Sequence, residues 1–171
     1  MTMHPSLRKF ALTLHVTSSV GLLGSIAAFL ALAIVAITTA DDGALRAAYF
    51  AMNVIARFVV VPLAFAALLT GLIQSLGTAW GLFRHYWVLF KLVITLFATT
   101  ILLIKTALIS EAARLTTQTP LPHAELKAAG YQLAFHAGAG LLVLLLPMIL
   151  SIYKPQGKTP YGWRKQQARS A

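Results

Sequence analysis

Four long apolar runs, separated by short polar breaks, account for most of the chain. They extend from about Phe10 to Thr39, Ala47 to Gly77, Tyr86 to Ile109 and Tyr131 to Tyr153. A helix needs roughly 20 consecutive apolar residues to cross a hydrocarbon core, so each run predicts one transmembrane helix. The first run, at roughly 30 residues, predicts a helix that tilts or begins in the interface. It is also longer than the roughly 7 to 15 apolar residues of a cleaved signal peptide, so Arg8 and Lys9 are expected to flank a retained helix. Asp41, Asp42 and Gly43 form the first break, with Asp42 as the expected N-cap of the second helix. Gly77, Thr78, Ala79, Trp80 and Gly81 form the next, where Trp80, followed by Tyr86 and Trp87, suits the membrane interface. The one sizeable loop expected is Ser110 to Gly130, with Pro120 and Pro122 as helix stops, and a polar tail begins at Lys154.

Composition moves the whole chain into the bilayer. It is 58% hydrophobic and 11% charged, against about a quarter charged in soluble proteins. The net charge of +10, from fourteen Lys and Arg against four acids, raises nucleic acid as a partner, but the cations lie at the ends of apolar runs. There the positive-inside rule and anionic lipid explain them, and no nucleic-acid role is expected. Arg8, Lys9, Arg84, Lys91, Lys154, Lys158, Arg164, Lys165 and Arg169 fall on one side. Arg46, Arg114, Lys127 and all four acids, Asp41, Asp42, Glu111 and Glu125, fall on the other. The expected architecture is therefore all-α: a single antiparallel four-helix transmembrane bundle with both termini in the cytoplasm (N-in/C-in). Tyr161 and Trp163, interleaved with the tail cations, are expected to lay residues 154–171 on the anionic inner leaflet.

The pattern excludes several chemistries. With no cysteine, thiolate metal sites, iron–sulfur clusters and covalent haem attachment are ruled out. With no Asp or Glu inside an apolar run, carboxylate-driven proton coupling and two-Glu di-iron sites are disfavoured. No phosphate-binding Gly loop, metal-binding His pair or Ser-His-Asp constellation is present, and an enzyme is not the expectation. What remains is a small set of polar groups at membrane depth. His15, His85 and Lys91 belong to the cytoplasmic half. Asn53, Arg57, Gln132 and His136 belong to the outer half, with Asn53, Arg57, Val60, Ala64, Ala67, Gly71 and Gln74 on one inward stripe of the second helix. Gln132, His136, Gly140, Val143, Pro147 and Ser151 line one face of the fourth, and Ser18, Gly21, Ser25 and Ala28 form a small-residue seam on the first.

The runs LHVTSSVGLLGSIAAFLALA (Leu14 to Ala33), LLTGLIQSLGTAWGLFRHYWVLFKL (Leu68 to Leu92) and YKPQGKTPYGWRKQ (Tyr153 to Gln166) resemble an uncharacterised family of small, mainly actinobacterial, four-helix integral membrane proteins. That resemblance implies the bacterial cytoplasmic membrane and no assigned activity. More distantly, a His early in helix one and a Lys early in helix three are similar to the haem-binding membrane protoporphyrinogen oxidase family. The opening Leu-His pattern also resembles the copper-resistance D-type permeases. The first of these resemblances lands on His15 and Lys91 and implies haem binding; the site expected in the cytoplasmic half is a haem b or porphyrin site with His15 as axial ligand and His85 or Lys91 as its partner. The chain lacks that family's tryptophan-rich first helix and His-rich third helix. Two other expectations stand beside haem. One is a permease-like or accessory subunit with Asn53, Arg57, Gln132 and His136 around an outer cavity for an anion or copper, needing self-association or a membrane partner. The other is a structural bundle in which every polar group joins helices.

Overall fold

The computed structural model describes residues 3–78, 81–118 and 123–170. The helices are α1 Pro5–Thr38, α2 Asp42–Gly77, α3 Tyr86–Gln118, α4 His123–Tyr153 and the short α5 Pro160–Ser170. The first four are long and apolar enough to cross a bilayer. The protein is thus a multi-pass membrane protein built as an all-α helical bundle. Side chains such as Phe10, Phe50, Phe58, Phe97, Phe135 and Leu142 are exposed on its outside, as expected where lipid rather than water is the solvent.

Helix α1 lies against α2 and α4, and α3 lies against the same two, which puts α1 and α3 at opposite corners. Met3 N donates to Gly77 O at 3.0 Å, Lys91 Nζ donates to Ser151 Oγ at 2.5 Å, and Tyr86 N donates to Gly157 O at 3.2 Å. The start of α1, the end of α2, the start of α3 and the end of α4 therefore gather at one end, called here the basic end. Asp41, Asp42, Glu111 and Glu125 belong to the other, acidic end. The largest buried cluster is also at the acidic end: Phe29, Ala33 and Ala36 of α1, Leu45, Tyr49 and Met52 of α2, Ile109 of α3, and Leu126 and Leu133 of α4. The alanines are small enough for the backbones to approach closely. Across that cluster the fully buried Tyr49 hydroxyl donates to Leu126 O at 2.6 Å.

Several boundaries differ from those expected. The residues assigned to a loop from Ser110 to Gly130 are mostly helical, because α3 continues to Gln118 and α4 starts at His123. Ala, Leu, Glu and Lys dominate those stretches and favour helix. Pro120 and Pro122 lie outside the described residues, as do Ala79 and Trp80. The N-cap of α2 is Asp41 rather than Asp42, since the Asp41 side chain accepts from Gly43 N at 2.9 Å.

Helix α2 is interrupted by a π-helical segment, Ala56–Val60, where Val61 N bonds back to Ala56 O. Pro62 explains its position: a proline ring collides with the carbonyl four residues earlier, here that of Phe58, and a widened turn relieves the collision. The segment also changes which face is inward. Met52, Ala56, Val60, Ala64, Ala67 and Thr70 are buried, whereas Arg57, expected on the inward stripe, is exposed.

The tail folds back onto the bundle. Helix α4 ends with Lys154 in the left-handed region at φ 44°, followed by Pro155, and the chain then runs beside the α2–α3 connection. Thr159 is buried there; its N donates to Arg84 O at 3.0 Å and its hydroxyl to Phe83 O at 2.5 Å. The same hydroxyl accepts from Gly162 N at 3.1 Å and so caps α5, with Pro160 at the first helical position. Gly162 sits against the Arg84 backbone so closely that a Cβ there would collide with the Arg84 carbonyl.

Candidate functional site

His15 lies on the inner side of α1, half-buried against α2. Its Nδ1 is 3.1 Å from Ala67 O and 3.0 Å from Thr70 Oγ1. The Thr70 hydroxyl donates to Ala66 O at 2.6 Å, so its oxygen is left to accept. Two acceptors facing Nδ1 place the proton on Nδ1 and leave the lone pair on Nε2. Gly71 makes room for the ring: a Cβ there would lie 3.2 Å from His15 Cε1. One turn nearer the basic end, Gln74 Nε2 donates to Ala11 O at 3.0 Å and ties the same two helices.

Lys91 reaches from α3 towards α4. Besides its 2.5 Å bond to Ser151 Oγ, its ammonium lies 5.4 Å from the centroid of the Trp87 ring, a cation–π distance. The Ser151 hydroxyl donates to Pro147 O at 2.7 Å, so its oxygen is the acceptor for Lys91. His15 and Lys91, expected to share one depth, both belong to the basic end, and each is held by a different helix, His15 by α2 and Lys91 by α4. His85 is engaged at the surface, in an antiparallel bridge with Lys158 and with its ring 6.4 Å from that of Trp87.

Of the four groups expected around an outer cavity, Asn53 is bonded across to α3 and His136 within α4. Asn53 Oδ1 accepts from Ser110 Oγ at 2.9 Å. Arg57 and Gln132 are exposed, and His136 Nδ1 is 2.6 Å from Gln132 O on its own helix. The π segment turned Arg57 outward, and Gln132 sits on the face of α4 that α1 and α3 leave uncovered. Thr70 is the neighbour of His15 that the sequence pattern did not pick out. Its signal is present but faint: it falls three residues after the buried Ala67, on the same inward face.

No family model, curated protein or solved structure matches this chain. Among the described residues there is no group of three or more His, Cys, Asp or Glu able to hold a metal ion.

Proposed function

We propose that the protein binds a haem or a related porphyrin at the basic end of the bundle, with His15 Nε2 as the axial ligand, in the bacterial cytoplasmic membrane. Both termini lie on the cytoplasmic side in this reading. The observation that carries it is the pairing of His15 Nδ1 with Ala67 O and Thr70 Oγ1. A ligating His commonly donates its second N–H to a backbone carbonyl, which fixes the tautomer and ring direction and raises the basicity of the coordinating nitrogen. Ala67 O and Thr70 Oγ1 are placed to do this. Lys91 and His85 are turned to other partners, so the reading rests on His15 alone. Haem would supply the iron chemistry; the chain supplies an oriented imidazole in a largely apolar setting.

The test is the absorption spectrum of protein purified in mild detergent and titrated with haem. A Soret band is expected for the wild type. It should be lost in His15→Gln, whose amide keeps a donor for Ala67 O and Thr70 while removing the imidazole. No band after titration, or an unchanged band in His15→Gln, would overturn the proposal.

A second reading has its own support. Asn53 to Ser110, Gln74 to Ala11 O, Tyr49 to Leu126 O and Lys91 to Ser151 each join two helices. That is what a bundle whose polar groups serve only in assembly displays. Its expected spectrum is colourless.

A further inference from the structure

The basic end holds a cation, Lys91, that no acidic side chain among the described residues neutralises. Lys91 is five residues into α3, about 8 Å along the helix from Tyr86, beside Tyr86 and Trp87, residue types that sit at headgroup level. Its partners are the Ser151 oxygen and the Trp87 ring face, both uncharged. All four acids lie at the other end: Glu111, the acid on the same helix, is about 30 Å away along the axis. Lys154, on the end of α4 beside Ser151, adds positive charge rather than relieving it. A charged amine at this depth is costly without an anion.

The surroundings say which anion fits. The next residues outward, Phe90 on α3 and Ile152 on α4, are exposed and apolar, as are Val93, Phe97 and Ile149 further along the same two helices. A charged head between two helix ends, continued by apolar surface towards the bilayer centre, matches a lipid better than a free ion. We infer that the basic end binds one anionic phospholipid between α3 and α4, its phosphodiester held by Lys91 with Lys154 beside it and its acyl chains along the exposed apolar side chains. Ser151 orients Lys91 for this. Apart from Lys154 the site does not draw on the tail's cations, and it stands whether or not His15 binds a porphyrin.

The experiment is native mass spectrometry of the full-length protein, delipidated in detergent and titrated separately with phosphatidylglycerol, phosphatidylcholine and inorganic phosphate. One phosphatidylglycerol should bind, with phosphatidylcholine about tenfold weaker because its headgroup has no net charge. Lys91→Gln should weaken phosphatidylglycerol about tenfold, while Lys91→Arg, which keeps the charge, should stay within about threefold. Neutralising Lys158, Arg164 and Lys165 together should leave this one lipid bound. Equal binding by Lys91→Gln and wild type would overturn the inference. So would phosphatidylcholine binding as tightly, or Lys91-dependent binding of inorganic phosphate without lipid. If Lys91→Gln does not fold, Ser151→Ala provides the test: weaker phosphatidylglycerol with unchanged phosphatidylcholine supports the site, and unchanged phosphatidylglycerol removes it.

Discussion

Tyr49 and His15 meet the same difficulty at opposite ends of the bundle: each carries a polar group into an apolar helix interface, and each satisfies it on a neighbouring helix. For Tyr49 the solution is one bond from a fully buried hydroxyl to Leu126 O. Tyr49→Phe leaves that carbonyl its intrahelical role and should lower stability by about 1 kcal/mol, read as a decreased thermal midpoint in detergent. Lys154 is a different case, since its left-handed φ of 44° is disfavoured for any residue with a Cβ. Lys154→Gly should raise the midpoint by an amount equivalent to about 1 kcal/mol, while weakening any anion held at the basic end. His15 and Lys91 were legible in the sequence because ionisable groups are rare within apolar runs. Thr70 was not, because a helical threonine ordinarily bonds back to its own helix. Thr99, Thr100 and Thr106 do so, as does Thr70 itself. Only the approach of α1 gives its oxygen a second use.

At the scale of elements, hydropathy located the spanning helices, and it misplaced their ends wherever helix continues into more polar sequence. It carried no sign of the π segment, whose cause is a steric conflict at Pro62 rather than a change in polarity. That segment sets the phase between the two halves of α2. Deleting Phe58, which is exposed, would remove the extra residue that the widened turn accommodates, leave the two halves nearly in phase, and bring the Pro62 ring back against a carbonyl four residues earlier. The bonds of Tyr49 and of Thr70 should both survive. The expected loss, from the collision alone, is about 3 kcal/mol, measured by thermal unfolding. The tail helix was hidden in a stretch read only as a polar, cationic tail, although Thr159 followed by Pro160 is a cap and first-turn pair. Thr159→Val removes the bonds to Phe83 O and from Gly162 N. It should speed protease cleavage within residues 154–170 and leave the bundle's thermal midpoint unchanged.

Across the whole molecule, hydrophobic and ionic features are segregated along the bundle axis. The main buried cluster shares the acidic end, and His15 and Lys91 share the basic end, where fewer large apolar side chains are buried among the described residues. Reporter fusions at Ala171 and between residues 110 and 130 should place these ends on opposite sides of the membrane, the first inside. A periplasmic signal from the C-terminal fusion would reverse that orientation. The separation of charge also makes the molecule electrically polar along its own axis. A cell that holds its interior negative acts on that polarity directly, because each elementary charge carried across the membrane is worth about 2.3 kcal/mol per 100 mV. Voltage thus favours keeping the basic end inside, and the same field draws the ammonium of Lys91 towards the headgroups rather than into the hydrocarbon.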